Sequence, residues 1–160
     1  MERVEKDYEE FLRLLNKHKV KYCIVGGFAV GFHAFPRYTK DIDILVEPTL
    51  VNGRKICDVL KEFGFSSLNL TAEDFSLPKQ IIQLGYEPVR IDLITSVKGC
   101  SFQEIWKNKV IANYGNTKVY FAGLKKLIKI KNKTGRSQDR SDIEKLSFAF
   151  DKIRKERKGR

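Results

Sequence analysis

Two carboxylates stand one residue apart in DIDILV, residues 41 to 46, inside a run that is otherwise apolar. Side chains of a strand alternate faces, so Asp41 and Asp43 share one face while Ile42 and Ile44 point into the core. Strand rise separates the two acids by roughly 7 Å at Cα, and at that spacing they repel unless a cation lies between them. Magnesium (or manganese) suits the place: it takes hard oxygen ligands, is held by one or two carboxylates, and completes its shell with water and substrate phosphate. A third acid, Asp92, sits in VRIDLIT between Ile91 and Leu93, again a carboxylate in an apolar strand. If that strand neighbours residues 42–47, three acids converge on one edge of a sheet. Such a cluster can hold two divalent ions, which clamp the attacking and leaving oxygens in phosphoryl transfer. Taken alone, DID is a weak signal, since most such triplets are strand ends whose acids simply face water.

Just upstream, Gly26 and Gly27 end the buried stretch YCIVGG and open a helix. Backbone amides and the helix dipole at such a start favour an anion such as phosphate. Ordinary turn chemistry explains a Gly-Gly pair as well. Arg37 and Lys40 offer cations to a phosphate, or simply line a solvated turn. His33 reads as packed or surface-facing, and nothing demands that it be a ligand.

The elements that must position these residues follow from periodicity. Residues 4 to 18 form an amphipathic helix with Val4, Tyr8, Phe11, Leu12 and Leu15 on one face. YCIV begins a short strand, residues 28 to 35 have helical character closed by Pro36, and IDILVE is a second strand. Residues 49 to 63 form a helix stopped by Gly64. Residues 79 to 96 read as two strands around a Gly-Tyr-Glu-Pro turn, and 102 to 108 as a short helix carrying Trp106. Residues 110 to 121 form a hairpin turning at Gly115-Asn116. The end is helical on both sides of Gly135. Strands and helices interleave, which predicts an α+β (α/β-like) fold: a mixed sheet flanked by helices, with a helical C-terminal segment.

A chain of 160 residues suits one domain over 1–160. It divides into an N-terminal helix to 18, a sheet core with helices over 22–121, C-terminal helices over 122–154 and a basic tail over 155–160. Three scattered cysteines and two histidines make neither a disulfide framework nor a zinc site. The charged start lacks the apolar core of a signal peptide, and no segment reaches the roughly 18 apolar residues of a membrane span. A soluble, cytoplasmic protein is expected. Lys and Arg number 31 against 20 acids, a net charge of +11 that favours polyanionic partners, nucleic acid above all.

A strand, Gly-Gly, a short helix, Asp-x-Asp and a later lone Asp resemble the nucleotidyltransferase superfamily that includes DNA polymerase β. More closely, GGFAVGFHAFPRYTKDIDI resembles the opening motif of the AbiEii-type toxin nucleotidyltransferases and their uncharacterised relatives, with Arg37, Thr39, Asp41 and Asp43 matching its Arg-x-Thr-x-Asp-x-Asp run. VRIDLI resembles the group's second motif, and LIKIKNKTGRSQDRSDIEKL its third, which maps onto Lys131, Arg136, Asp139 and Asp142. The resemblance implies the nucleotidyltransferase fold and transfer of a nucleotide monophosphate from an NTP to a hydroxyl. In it Asp41 and Asp43 bind both metals, and Asp92 binds one while acting as, or near, the general base. Gly26 and Gly27 hold the β,γ-phosphates, and Lys131 reaches the nucleotide. Arg136 and Asp139 read equally as a structural ion pair. Asp142 shares a helix face with Asp139, or belongs to a Ser141-x-x-Glu144 capping pattern. Many toxin members carry an extra helical domain for which this chain has little room. The basic balance favours RNA, such as a tRNA end, as acceptor, with a protein hydroxyl second. The rival expectations are a non-catalytic nucleotide- or RNA-binding module and an antitoxin-like interaction protein on the same fold.

Overall fold

The computed structural model describes residues 4–34, 41–86, 89–134 and 137–158, with side chains in the last helix described for 142–149 and 151–153. Helix α1 (Lys6–Lys17) opens the fold with Asp7 and Glu9 in its first turn and Lys17 in its last, the arrangement the helix dipole favours. It buries Tyr8, Phe11, Leu12, Leu14 and Leu15. Val4, expected on that face, precedes the helix and is exposed. Strand β1 (Tyr22–Val25) runs directly into α2 (Gly26–His33), so both glycines belong to the helix rather than to the strand end. Strand β2 (Asp41–Val46) and helix α3 (Leu50–Phe63) follow. Thr49 caps α3 by accepting the Asn52 amide at 3.1 Å, and Gly64 ends it at φ +100°.

Between α3 and the next strand lie two 3-10 turns, Ser66–Leu68 and Ala72–Phe75, that pack on α3 and bury Phe75. No periodicity announced them, because the only deeply buried side chain in that stretch is Phe75. Strands β3 (Ile81–Tyr86) and β4 (Val89–Ile94) appear where two strands were expected, although Glu87 and Pro88 of the intervening turn lie outside the described residues. Then come α4 (Phe102–Lys107), the hairpin β5 (Val110–Tyr114) and β6 (Thr117–Phe121), α5 (Leu124–Thr134) and α6 (Ser137–Lys158). The expected break at Gly135 falls outside the described residues.

The strands form one six-stranded sheet in the order β3-β4-β2-β1-β6-β5. Neighbours β1–β2, β3–β4 and β5–β6 are antiparallel, whereas β2–β4 and β1–β6 are parallel. The result is the mixed, helix-flanked α+β fold read from the sequence. Ile24, Ile42, Ile44 and Leu93 are fully buried, each worth roughly 2 kcal/mol of apolar burial. Helix α1 is tied to both halves of the sheet. The Tyr8 hydroxyl donates to the Arg90 carbonyl in β4 at 3.2 Å, and Glu9 accepts the Asn116 amide of the β5–β6 turn at 2.7 Å. Among the described residues no helix is long and apolar enough to cross a membrane.

Candidate active site

The parallel pairing of β2 with β4 sets Asp43 opposite Asp92 and Asp41 opposite Arg90. Residues directly opposed across a ladder share a face, so the sequence-predicted acids Asp41, Asp43 and Asp92 meet on one side of the sheet. One carboxylate oxygen from each lies within 4.8 Å of the others. Their apolar alternates Ile42, Ile91 and Leu93 are buried, and Ile42 pairs with Ile91 in the same register.

The glycines sit against this cluster. Val25, the last residue of β1, is opposite Asp43, and Gly26 follows it at φ +69°. A Cβ at position 26 would collide with the Asp43 carboxylate, so both the backbone angle and the space call for glycine. No side chain caps the start of α2, and its first turn holds no acid. The first amides of a helix lack partners within it. A helix start suited to an anion therefore adjoins three carboxylates suited to a cation.

Among the described residues, acids outnumber the cations in contact with this cluster. Burial, and next the charges of Asp41 and Asp92, push the Asp43 carboxyl up to about 7, against the opposing pull of Lys131 and Arg90. Arg90 is the basic residue of the VRIDLI motif, to which the motif reading assigns no role. Its guanidinium donates to Asp92 through Nε at 3.1 Å and Nη2 at 2.8 Å, and Nη2 lies 4.0 Å from Asp41 Oδ2. The signal was present in the sequence: Arg90 and Asp92 are two apart on one strand and so share a face. The donor set, three hard oxygen ligands with one of them held at a raised proton affinity by burial and its neighbours, fits a divalent cation of the magnesium kind.

The remaining predicted residues divide. Lys131 on α5 is buried, with Nζ 3.2 Å from Oδ2 of the fully buried Asp142 on α6. Helix α6 begins at Ser137, so Ser141 is not its N-cap and the capping reading of Asp142 is corrected to a buried ionic one. Asp139 falls within α6 but its side chain is outside the description, as are Arg37, Thr39, Lys40 and Arg136 altogether. His33 is packed: its Nε2 donates to the Ala122 carbonyl at 2.8 Å, and burial holds it toward the neutral form.

The mixed sheet with its flanking helices is the fold of nucleotidyltransferases of known structure. The chain belongs to the family described as nucleotidyl transferase of unknown function, DUF2204, whose model matches residues 4–159. Among solved structures it is similar to the lincosamide antibiotic adenylyltransferase LnuA, crystallised with lincomycin: 18% identity, TM-score 0.57, covering 89% of this chain and 96% of that one. It is also similar to a candidate nucleotidyltransferase of Thermotoga maritima, at 15% identity and TM-score 0.58, covering 89% and 94%. At these identities the likeness is one of fold. No curated protein matches the sequence.

Proposed function

We propose that this chain is a metal-dependent nucleotidyltransferase that moves the monophosphate of an NTP to a hydroxyl acceptor. The observation that carries the reading is the convergence of Asp41, Asp43 and Asp92, with oxygens within 4.8 Å, beside the start of α2. Asp41 and Asp43 would hold both divalent ions and Asp92 one of them. Bound there, magnesium or manganese supplies charge neutralisation at the attacking and leaving oxygens. The amides of Gly26 and Gly27 bind the β,γ-phosphates, aided by the helix dipole. Lys131, Arg37 and Thr39 complete the nucleotide site, and Arg136 and Asp139 support it. The acceptor oxygen bonds to the α-phosphorus while the bond to the β-phosphate bridge breaks and pyrophosphate leaves. Asp92 takes the acceptor's proton. Positioning and charge neutralisation are most of what such a transfer requires.

The net charge of +11 supports RNA, such as a tRNA end, as acceptor, and a partner protein's hydroxyl is the second choice. Within the superfamily the Gly-Gly, Arg-x-Thr-x-Asp-x-Asp and Gly-Arg-x-x-Asp-x-x-Asp runs support an AbiEii-type kinship, and with it a place in a toxin–antitoxin system in the cytoplasm. Calorimetric titration of ATP, GTP, CTP and UTP, with and without magnesium, tests the site. The expected result is magnesium-dependent binding of at least one nucleotide, lost in Asp41→Ala/Asp43→Ala. Absence of nucleotide binding under every condition would leave a purely RNA-binding or interaction role for the fold.

A further inference from the structure

The triad does not stand alone, and its companion has a form that the transfer reading does not require. Arg90 grips Asp92 with two nearly parallel N–H donors, the geometry in which guanidinium and carboxylate bind most strongly. The same Nη2 leans toward Asp41 at 4.0 Å. One guanidinium therefore engages two of the three acids that would ligate a cation. Asp43, the acid it does not grip, is the one whose oxygen is packed against Gly26.

Anchoring and freedom are separated along this residue. Its backbone is fixed from both sides, by pairing with Asp41 in β2 and with Gly85 in β3, and its carbonyl accepts the Tyr8 hydroxyl. Its side chain is 33% exposed, whereas the Asp92 side chain is only 6% exposed. The neighbour opposite Arg90 on β3 is Gly85, whose carbonyl accepts the Gln83 side-chain amide at 3.4 Å. A guanidinium leaving Asp92 thus moves toward solvent, while the Asp92 carboxylate stays enclosed.

We infer that Arg90 is a built-in counter-cation of the metal-free site, one that withholds the Asp92 and Asp41 oxygens from a divalent ion and swings aside when the ion binds. This rests on the reading of the triad as a metal site. A permanently structural arginine would leave cation affinity to the other oxygens. A gating arginine makes every divalent ion compete with it, and sets how much metal the site takes before nucleotide arrives.

The test uses the full chain and Mn2+ alone, with free ion followed by electron paramagnetic resonance and thermal midpoints measured in parallel. Arg90→Met removes charge and fork, whereas Arg90→Lys keeps the charge and removes only the fork. The expected result is that Arg90→Met binds Mn2+ at least about tenfold more tightly than wild type, and Arg90→Lys lies between them. The metal-free midpoint should fall in Arg90→Met and rise on Mn2+ saturation by more than in wild type. Lys at wild-type affinity, with the Met gain abolished by high salt, would reduce the effect to long-range charge and overturn the inference. Equal affinity in all three proteins would overturn it too, with the carboxylate site left standing. If none of them, and no better than Asp43→Asn, binds Mn2+, the inference and the metal site fall together.

Discussion

Among the described residues, two groups of charges are accommodated in opposite ways. Between α5 and α6, Asp142 is wholly enclosed and meets Lys131 at 3.2 Å. On the edge shared by β2 and β4, three acids meet with Arg90 as the cation in direct contact among the described residues, and burial followed by the neighbouring acids pushes the Asp43 carboxyl up to about 7. An enclosed acid beside an enclosed cation offsets much of the other's desolvation and bridges two helices. Crowded acids that raise one another's proton affinity are unstable as they stand, and are retained where a further cation completes them. Depth alone therefore does not mark a site; imbalance does.

The largest effect that would sharpen this contrast is on activity. Asp41→Ala or Asp43→Ala should lower nucleotide transfer by about 1000-fold, measured as label passing from an α-labelled NTP to acceptor, with circular dichroism unchanged. A variant that keeps transfer would break the assignment of the unbalanced cluster to chemistry. The balanced pair should answer in stability instead. Asp142→Ala removes the carboxylate beside a buried ammonium and should cost roughly 3 kcal/mol in denaturant unfolding. The double replacement Lys131→Met/Asp142→Leu should recover most of that loss, since an apolar pair of similar volume avoids desolvation. If the restored double variant also binds NTP normally, Lys131 is structural and its proposed nucleotide contact falls.

Next is a gain. In metal-free protein at pH 8, Asp43→Asn should stabilise the fold by about 2 kcal/mol, read as a higher thermal midpoint. The sign follows from the raised proton affinity. The folded protein binds this proton more tightly than the unfolded chain, so the stabilising contribution is complete below about pH 4 and is lost as pH rises through about 7. Stability of the wild type should decline over that window, and the Asn variant should not show the decline. The smallest effect belongs to Gly26→Ala, where a positive φ and the adjacent carboxylate each resist a methyl group. A loss of about 1–2 kcal/mol is expected, with weaker Mn2+ binding because Asp43 is displaced.

Much of this site could be read from residues before any coordinates. Alternation in DIDILV fixed which side of the strand carried the acids, because period two leaves no other choice for a half-buried strand. The adjacency of Asp92 could only be posed as a condition, since parallel pairing between distant segments is a tertiary outcome with no local signature. Arg90 was legible as a same-face neighbour of Asp92, but its reach toward Asp41 depends on the β2–β4 register. Lys131 was placed toward the nucleotide by motif resemblance alone, and a motif carries no information about which helix will arrive beside it. The 3-10 turns around residues 66–75 were invisible for a simpler reason. They bury too little, too irregularly, to leave a period.

The parallel register of β2 and β4 has a consequence for how the protein is assembled. Asp41 and Asp43 come together with Gly26 within a short span of chain, whereas Asp92 arrives from about fifty residues away, after α3 and the 3-10 turns have been accommodated. Repulsion among the three acids is absent from the unfolded chain and from any intermediate that lacks β4, so it falls on the docking of that strand. Docking of β4 should accordingly quicken in mild acid or with a divalent ion present, which places the cation among the species that help the chain reach its native state.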